Sequence, residues 1–134
     1  MTRKRSLLSI GYAQLDEHDY EVFDQLVEGY AAAADWTKVK SLGEMALFVN
    51  PADPDLHAAL GQAYLALGQI DDAVYEYQSA LLTDPPLARP AIAHLGLARA
   101  YLARKHKAAA RAAIAEALRV EPGSAEALAL KKKL

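Results

Sequence analysis

The chain has 134 residues, a formal net charge of −2 at pH 7 and no cysteine. This length suits a single domain, which can bury about two-thirds of its unfolded surface without disulfides or metal ions. The absence of cysteine excludes disulfides, iron–sulfur clusters, thiolate zinc sites and cysteine nucleophiles. Ala and Leu are abundant and β-branched residues are few, which favours helices along the whole chain.

The small net charge conceals a strong segregation of charge along the chain. Residues 14–87 contain 14 acidic and 2 basic side chains, a balance of −12, whereas residues 88–134 contain 10 basic and 3 acidic side chains, a balance of +7. Three further cations, Arg3, Lys4 and Arg5, lie close to the N-terminus. The sequence is therefore an electric dipole, which affects how the protein can approach charged partners.

The first segment, residues 1–19, has a basic start, a broken apolar stretch and an acidic end. This pattern does not match a signal peptide, whose apolar region is continuous. No apolar run of the sequence reaches the about 18 residues that a membrane span requires. We therefore expect a cytoplasmic protein without a membrane span, in which residues 1–19 form a tail or a short extra helix.

Helical hydrophobic periodicity predicts pairs of helices over the rest of the chain. The predicted helices span residues 20–33 and 36–49, 54–67 and 70–82, 90–103 and 107–119, and finally 124–133. In the middle pair, Gly68 lets the chain leave the first helix, because glycine adopts a left-handed turn at little cost. Pro85 ends the second helix of that pair. Ser124 is the predicted N-cap of the last helix, which ends in three lysines that suit the helix dipole.

The three helix pairs are copies of one unit. Shifted by 37 residues, the middle copy matches the later one at five positions: Leu60 with Leu97, Tyr64 with Tyr101, Ala73 with Ala110, Ala80 with Ala117 and Pro85 with Pro122. Shifted by 34 residues, it matches the earlier copy at three: Tyr64 with Tyr30, Ala80 with Ala46 and Pro85 with Pro51. One such pair cannot bury both of its apolar faces, so it must stack on its neighbours. The sequence predicts repeats at about 20–53, 54–87 and 91–124 and a capping helix at 124–133.

This unit resembles the tetratricopeptide repeat (TPR). The signature residues of that family stand in the middle copy as Leu60, Gly61, Tyr64, Ala73, Tyr77, Ala80 and Pro85. The later copy departs from the family at Lys105, where a turn glycine is usual, and the earlier copy departs at Gly43, where a bulky residue is usual. The resemblance implies an all-α, right-handed superhelix (an α-solenoid) of about three TPR-like hairpins plus a C-terminal capping helix, forming a TPR domain over residues 20–134.

The residue pattern gives little support for catalysis. His57 and His94 occupy the same position in two copies, which predicts histidines that pack between helices rather than metal ligands. Asp71 and Asp72 are adjacent on a helix, so their side chains diverge by about 100° and cannot share a proton. The sequence contains no glycine-rich phosphate loop and no nucleophile motif. We therefore predict that the protein is not an enzyme and has no catalytic, metal or cofactor site.

A basic cluster at residues 104–111 is the strongest argument for a nucleic-acid partner. The cluster has no Phe, Tyr or Trp between its cations, and the acidic first half of the chain would repel phosphates. We therefore expect no nucleic-acid partner.

The TPR resemblance implies that the first helices of successive pairs line a concave groove, which holds a peptide segment of a partner protein. The register of Tyr30, Tyr64 and Tyr101 places seven predicted contact residues in this groove: Asp24, Glu28, Gln62, Leu65, Leu95, Arg99 and Leu102. Such a groove would run from an acidic wall to an apolar end with one arginine, which favours a ligand with basic and apolar residues. The clamp of Lys, Asn and Arg with which chaperone-binding members of the family hold a C-terminal carboxylate is absent here.

The predicted function is therefore a non-catalytic adaptor or scaffold, and other interpretations stay open. The opposite charges of the two ends could support a homo-oligomer assembled head to tail, in which exposed ion pairs of about 0–1 kcal/mol each would steer association rather than hold it. The chain could instead be a docking domain of a larger enzyme or of a secretion or assembly complex. The acidic residues of the groove could serve solubility alone, and the N-terminal tail could cover the apolar ones.

Overall fold

The computed structural model describes the backbone of residues 17–134 and the side chains from residue 21 onward. These residues form seven α-helices and no strand: α1 (Glu17–Ala32), α2 (Trp36–Val49), α3 (Pro54–Ala66), α4 (Ile70–Leu82), α5 (Pro90–Ala103), α6 (Lys107–Val120) and α7 (Ala125–Lys131). Within this part of the chain, no helix has both the length and the apolar character that a membrane crossing requires. Most of the predicted tail, residues 1–16, lies outside the described residues.

Side-chain caps mark the start of three of the helices. The side chains of Asp35, Asp53 and Ser124 accept hydrogen bonds from backbone N–H groups in the first turns of α2, α3 and α7. Helices α2 to α6 begin and end within one residue of the predicted bounds. Helix α1 begins at Glu17, three residues before its prediction, and α7 ends at Lys131, two residues before its prediction.

The turn inside each helix pair has the same geometry in all three copies. Ala34, Gly68 and Lys105 occupy equivalent positions and have left-handed backbone angles, with φ of 57°, 81° and 61°. In each turn, the next backbone N–H donates to the carbonyl of the tyrosine five residues earlier, at 2.8 to 2.9 Å. This bond satisfies a free carbonyl at the helix end, as in a Schellman motif. Lys105 therefore keeps the turn geometry that glycine would be expected to provide.

Helix packing arranges the first helices of successive pairs on one face. Each helix contacts its neighbour in sequence, and in addition α1 contacts α3, α3 contacts α5 and α5 contacts α7. Two clusters of buried side chains fill the interior. The first, around Phe23 and Val39, joins α1 and α2 to α3. The second, around Tyr77 and Ile114, extends from α4 to α7.

Glycines allow the helices to approach closely at two places. The Tyr77 ring of α4 packs against Gly61 of α3 and Gly96 of α5, and a Cβ atom at Gly96 would overlap this ring. A Cβ atom at Gly43 would lie 2.9 Å from the Cγ atom of Leu60. Real Cβ atoms do not approach this closely in packed interiors. The space taken by Leu60 therefore explains why a bulky residue is missing at Gly43.

Candidate binding groove

We call the face formed by α1, α3 and α5 the groove, and the part between α3 and α5 is a cavity of about 590 Å³. Leu65 and Leu95 belong to its lining together with Ile92, which is 42% exposed. Trp36 of α2 and Glu126 of α7 also contribute to the lining. The cavity therefore offers apolar surface to a ligand within a rim of polar side chains.

Four of the seven predicted contact residues line this cavity, namely Gln62, Leu65, Leu95 and Arg99. Gln62 and Arg99 are exposed. Leu95, in contrast, is only 5% exposed, because it belongs to the buried cluster that extends to α7. Leu102 is half-buried against the same cluster and does not line the cavity. Leu95 and Leu102 thus contribute more to the core than to a free contact surface.

The remaining two predicted contacts belong to a group of carboxylates that we name the acidic wall: Asp24 and Glu28 on α1, and Asp53 and Asp55 at the start of α3. Only Asp55 of these residues lines the cavity itself. Burial, followed by repulsion from Asp53, Asp55 and Glu28, raises the pKa of Asp24 to about 6. Burial also raises the pKa of Asp55, with Asp53 and Glu28 as further causes. A cation placed among these carboxylates would relieve their repulsion.

Two arginines line the cavity, and each is paired with a glutamate. Arg99 donates a hydrogen bond to Glu126 at 2.8 Å, and Arg89 donates to Glu121 at 3.0 Å. The hydrogen bond from Arg89 lowers the pKa of Glu121. Because these glutamates neutralise both arginines, the acidic wall sets the sign of the charge in the groove. Arg89 is missing from the predicted contacts because it precedes α5, outside the helical register that the prediction used.

His57, at the start of α3, is 8% exposed and is held by two acceptors. Its Nδ1 atom lies 2.6 Å from the Glu76 carboxylate, and its Nε2 atom lies 2.7 Å from the Pro51 carbonyl. Since both partners only accept, this geometry favours the imidazolium form, in which both ring nitrogens donate. Burial lowers the pKa of His57, but the hydrogen bonds to Glu76 and Pro51 and the charge of Asp53 outweigh burial and raise it. The predicted packing histidine is thus also an ion-pair partner between α3 and α4.

His94, the equivalent histidine of the next copy, has a different environment. It is half-buried, and burial is the main cause that lowers its pKa. The residue 37 positions after Glu76 is Ala113, so no carboxylate occupies the equivalent place on α6. Among the described residues, no group of three or more His, Asp or Glu side chains could hold a metal ion.

Comparison with known proteins identifies the fold. No protein-family model and no curated protein matches the sequence. Among solved structures, the TPR domain of Arabidopsis OM64 is similar, with a TM-score of 0.79 and 22% sequence identity, over 87% of this chain and 93% of that chain. At this level of identity the likeness shows the fold alone. The chain therefore has the fold of a TPR domain, an all-α helical-repeat solenoid, as its sequence predicts.

Proposed function

We propose that the chain is a non-catalytic protein-binding module, an adaptor or scaffold, whose groove holds a peptide segment of a partner protein. The observation that carries this proposal is the groove itself, where apolar side chains of α3 and α5 lie next to the acidic wall. Apolar surface with a few charged groups is typical of binding sites. The TPR fold supports the same function by analogy.

The proposed ligand is a segment that combines a basic residue with apolar ones. Its Lys or Arg side chain faces Asp24 and Asp55, whose pKa values are raised by burial and, after burial, by repulsion from neighbouring carboxylates. Its apolar side chains lie against Leu65 and Ile92. Acidic ligands are disfavoured, because like charges across an interface reduce both affinity and the rate of association.

Two labelled peptides of equal length test this proposal by fluorescence anisotropy. One combines Lys with Leu and the other has Glu in place of every Lys. We expect the Lys peptide to bind the full chain at least about tenfold more tightly than the Glu peptide. Asp24→Asn is expected to reduce the affinity for the Lys peptide by roughly threefold, which is the contribution of one partly exposed ion pair. Gln62→Phe, which places a ring in the groove from an exposed position, is expected to abolish binding.

The matched control is Asp84→Asn, which removes an exposed carboxylate from the loop between α4 and α5. We expect this variant to bind the Lys peptide like the wild type. Circular dichroism must first show that each variant is helical and is no less stable to urea than the wild type. Equal affinity for the two peptides, or equal losses in Asp24→Asn and Asp84→Asn, would contradict the proposal.

A further inference from the structure

A second cavity, of about 300 Å³, lies between α6 and α7 and shares no lining residue with the groove. We name it the α6–α7 cavity, and its lining consists of Arg111, Ile114, Ala115, Leu118, Lys131 and Leu134. Ile114 belongs to the buried cluster around Tyr77, and Leu118 and Leu134 pack against this cluster. Arg111 and Lys131 are exposed and form no ion pair with another residue in the described part of the chain.

The preceding repeat shows how the equivalent surface is covered there. At the interface of α4 with α5, the last turn of α5 covers α4, since Gln78 donates to the Tyr101 hydroxyl at 3.5 Å and Arg104 pairs with Asp71 at 2.7 Å. Ala115, which lines the α6–α7 cavity, stands 37 positions after Gln78, so the cavity lies at the place on α6 that Tyr101 contacts on α4.

The α6–α7 cavity has the opposite charge to the equivalent surface of α4. On α4, Asp71 receives the cation Arg104 of the helix that covers it. On α6, the residues 37 positions after Asp71 and Val74 are Ala108 and Arg111, so the carboxylate is lost and a cation is gained. Lys131 adds a second cation to the cavity. The surface is therefore complementary to a segment that carries carboxylates.

We propose that the α6–α7 cavity is a second binding site, which holds an acidic helical segment of a partner protein. One large apolar side chain of this segment, such as tyrosine, fills the cavity against Ile114 and Leu118, in the place that Tyr101 has over α4. Carboxylates of the same segment pair with Arg111 and Lys131. This site and the groove share no lining residue.

Two labelled peptides with sequences taken from the chain itself serve as probes. The first is Glu17–Ala32, with five acidic residues and no Lys or Arg, and the second is Pro90–Ala103, with one Arg and no acidic residue. Both have a tyrosine at the same repeat position, Tyr30 and Tyr101. Fluorescence anisotropy with the full chain is expected to show that the acidic peptide binds about tenfold more tightly, because only its charges complement the site.

Three variants locate the binding. Arg111→Glu is expected to reduce the affinity for the acidic peptide by about tenfold and to increase the affinity for the other peptide. Ala115→Phe fills the cavity from an exposed position and is expected to abolish binding of the acidic peptide. Lys107→Glu changes an exposed cation of α6 outside the cavity and is expected to leave the affinity unchanged. The proposal is overturned if the acidic peptide fails to bind, if binding survives both cavity variants, or if Lys107→Glu weakens it as much as Arg111→Glu does.

Sedimentation of the unliganded chain distinguishes a partner protein from a second copy of this chain. The proposal expects a monomer over the concentration range of the binding assay. An oligomer that Arg111→Glu dissociates would show that the acidic α1 of another copy occupies the cavity, and would overturn the assignment to a partner protein.

Discussion

At the scale of the residue, His57 connects three parts of the chain: α3, which carries it, α4 through Glu76, and the loop before α3 through the Pro51 carbonyl. The native state binds the imidazolium proton more tightly than the unfolded chain does, because these acceptors raise the pKa of His57. The resulting stabilisation is complete below the unfolded pKa of about 6.5 and is lost as the pH rises through the higher native pKa.

We predict that urea denaturation will show this loss as a difference between the wild type and His57→Gln. At low pH the substitution is expected to reduce the free energy of unfolding by about 2 kcal/mol, the value for a hydrogen bond to a charged group. That difference shrinks as the pH rises above about 6.5. His94→Gln is the control. Because the pKa of His94 is lowered, the difference in free energy of unfolding between the wild type and this variant is expected to change with pH in the opposite direction. A difference between the wild type and His57→Gln that stays constant with pH would contradict the imidazolium assignment.

Asp24 gives the groove a pH dependence of its own. Its pKa of about 6, raised first by burial and then by the neighbouring carboxylates, means that the acidic wall loses charge as the pH falls through 6. We predict that the affinity for the Lys peptide rises between pH 5 and pH 7, where Asp24 becomes ionised, as measured by anisotropy. In Asp24→Asn this rise is expected to be much smaller. An identical pH dependence in wild type and variant would show that Asp24 does not face the ligand.

At the scale of the element, the turns inside the helix pairs determine where each first helix ends. A left-handed conformation costs a residue with a Cβ atom roughly 1–2 kcal/mol, and part of this cost is offset because glycine loses more chain entropy on folding. We predict that Lys105→Gly stabilises the protein by about 0.5–1 kcal/mol and that Gly68→Ala destabilises it by about 1 kcal/mol, measured by urea denaturation.

Gly123→Ala is the matched control for these turn substitutions. An added Cβ atom meets nothing within 4 Å at either Gly68 or Gly123, but only Gly68 has a left-handed φ, of 81°. We therefore expect Gly123→Ala to leave the stability unchanged or slightly higher. Equal effects of the two alanine substitutions would mean that the left-handed angle is not what the turn requires.

The sequence predicts the helices well because their signals are local. Capping side chains such as Asp53, turn residues such as Gly68 and prolines at helix starts act within a few residues, so α2 to α6 follow from the pattern. The length of α7 does not follow in the same way, because its final lysines continue the helical periodicity and nothing in the sequence marks Lys131 as its end. Pairs distant in the chain, such as His57 with Glu76, depend on how two helices rotate against each other, which periodicity does not specify.

At the scale of the whole molecule, stacking of the repeats turns the charge gradient of the sequence into separate surfaces. The acidic residues of α1 and α3 come together as the acidic wall, and the cations of α6 and α7 line the α6–α7 cavity. The register of the repeat tyrosines predicts Gln62 and Arg99 as groove residues, and both line the cavity between α3 and α5, because equivalent positions share a face. The contributions of Arg89, Trp36 and Glu126 were missed, since they lie in a loop or on helices that the register does not assign to the groove.

The most direct test of the central claim, that the groove of α1, α3 and α5 binds a basic and apolar segment, is a ¹H–¹⁵N NMR titration of the full chain with the Lys peptide. The groove account predicts that the largest shifts of backbone amide signals lie in these three helices, around Asp24, Gln62 and Ile92, and that residues of the α6–α7 cavity stay unchanged. Shifts confined to α2, α4 and α6 would contradict this account, because they would place the bound peptide on the helices that do not form the groove.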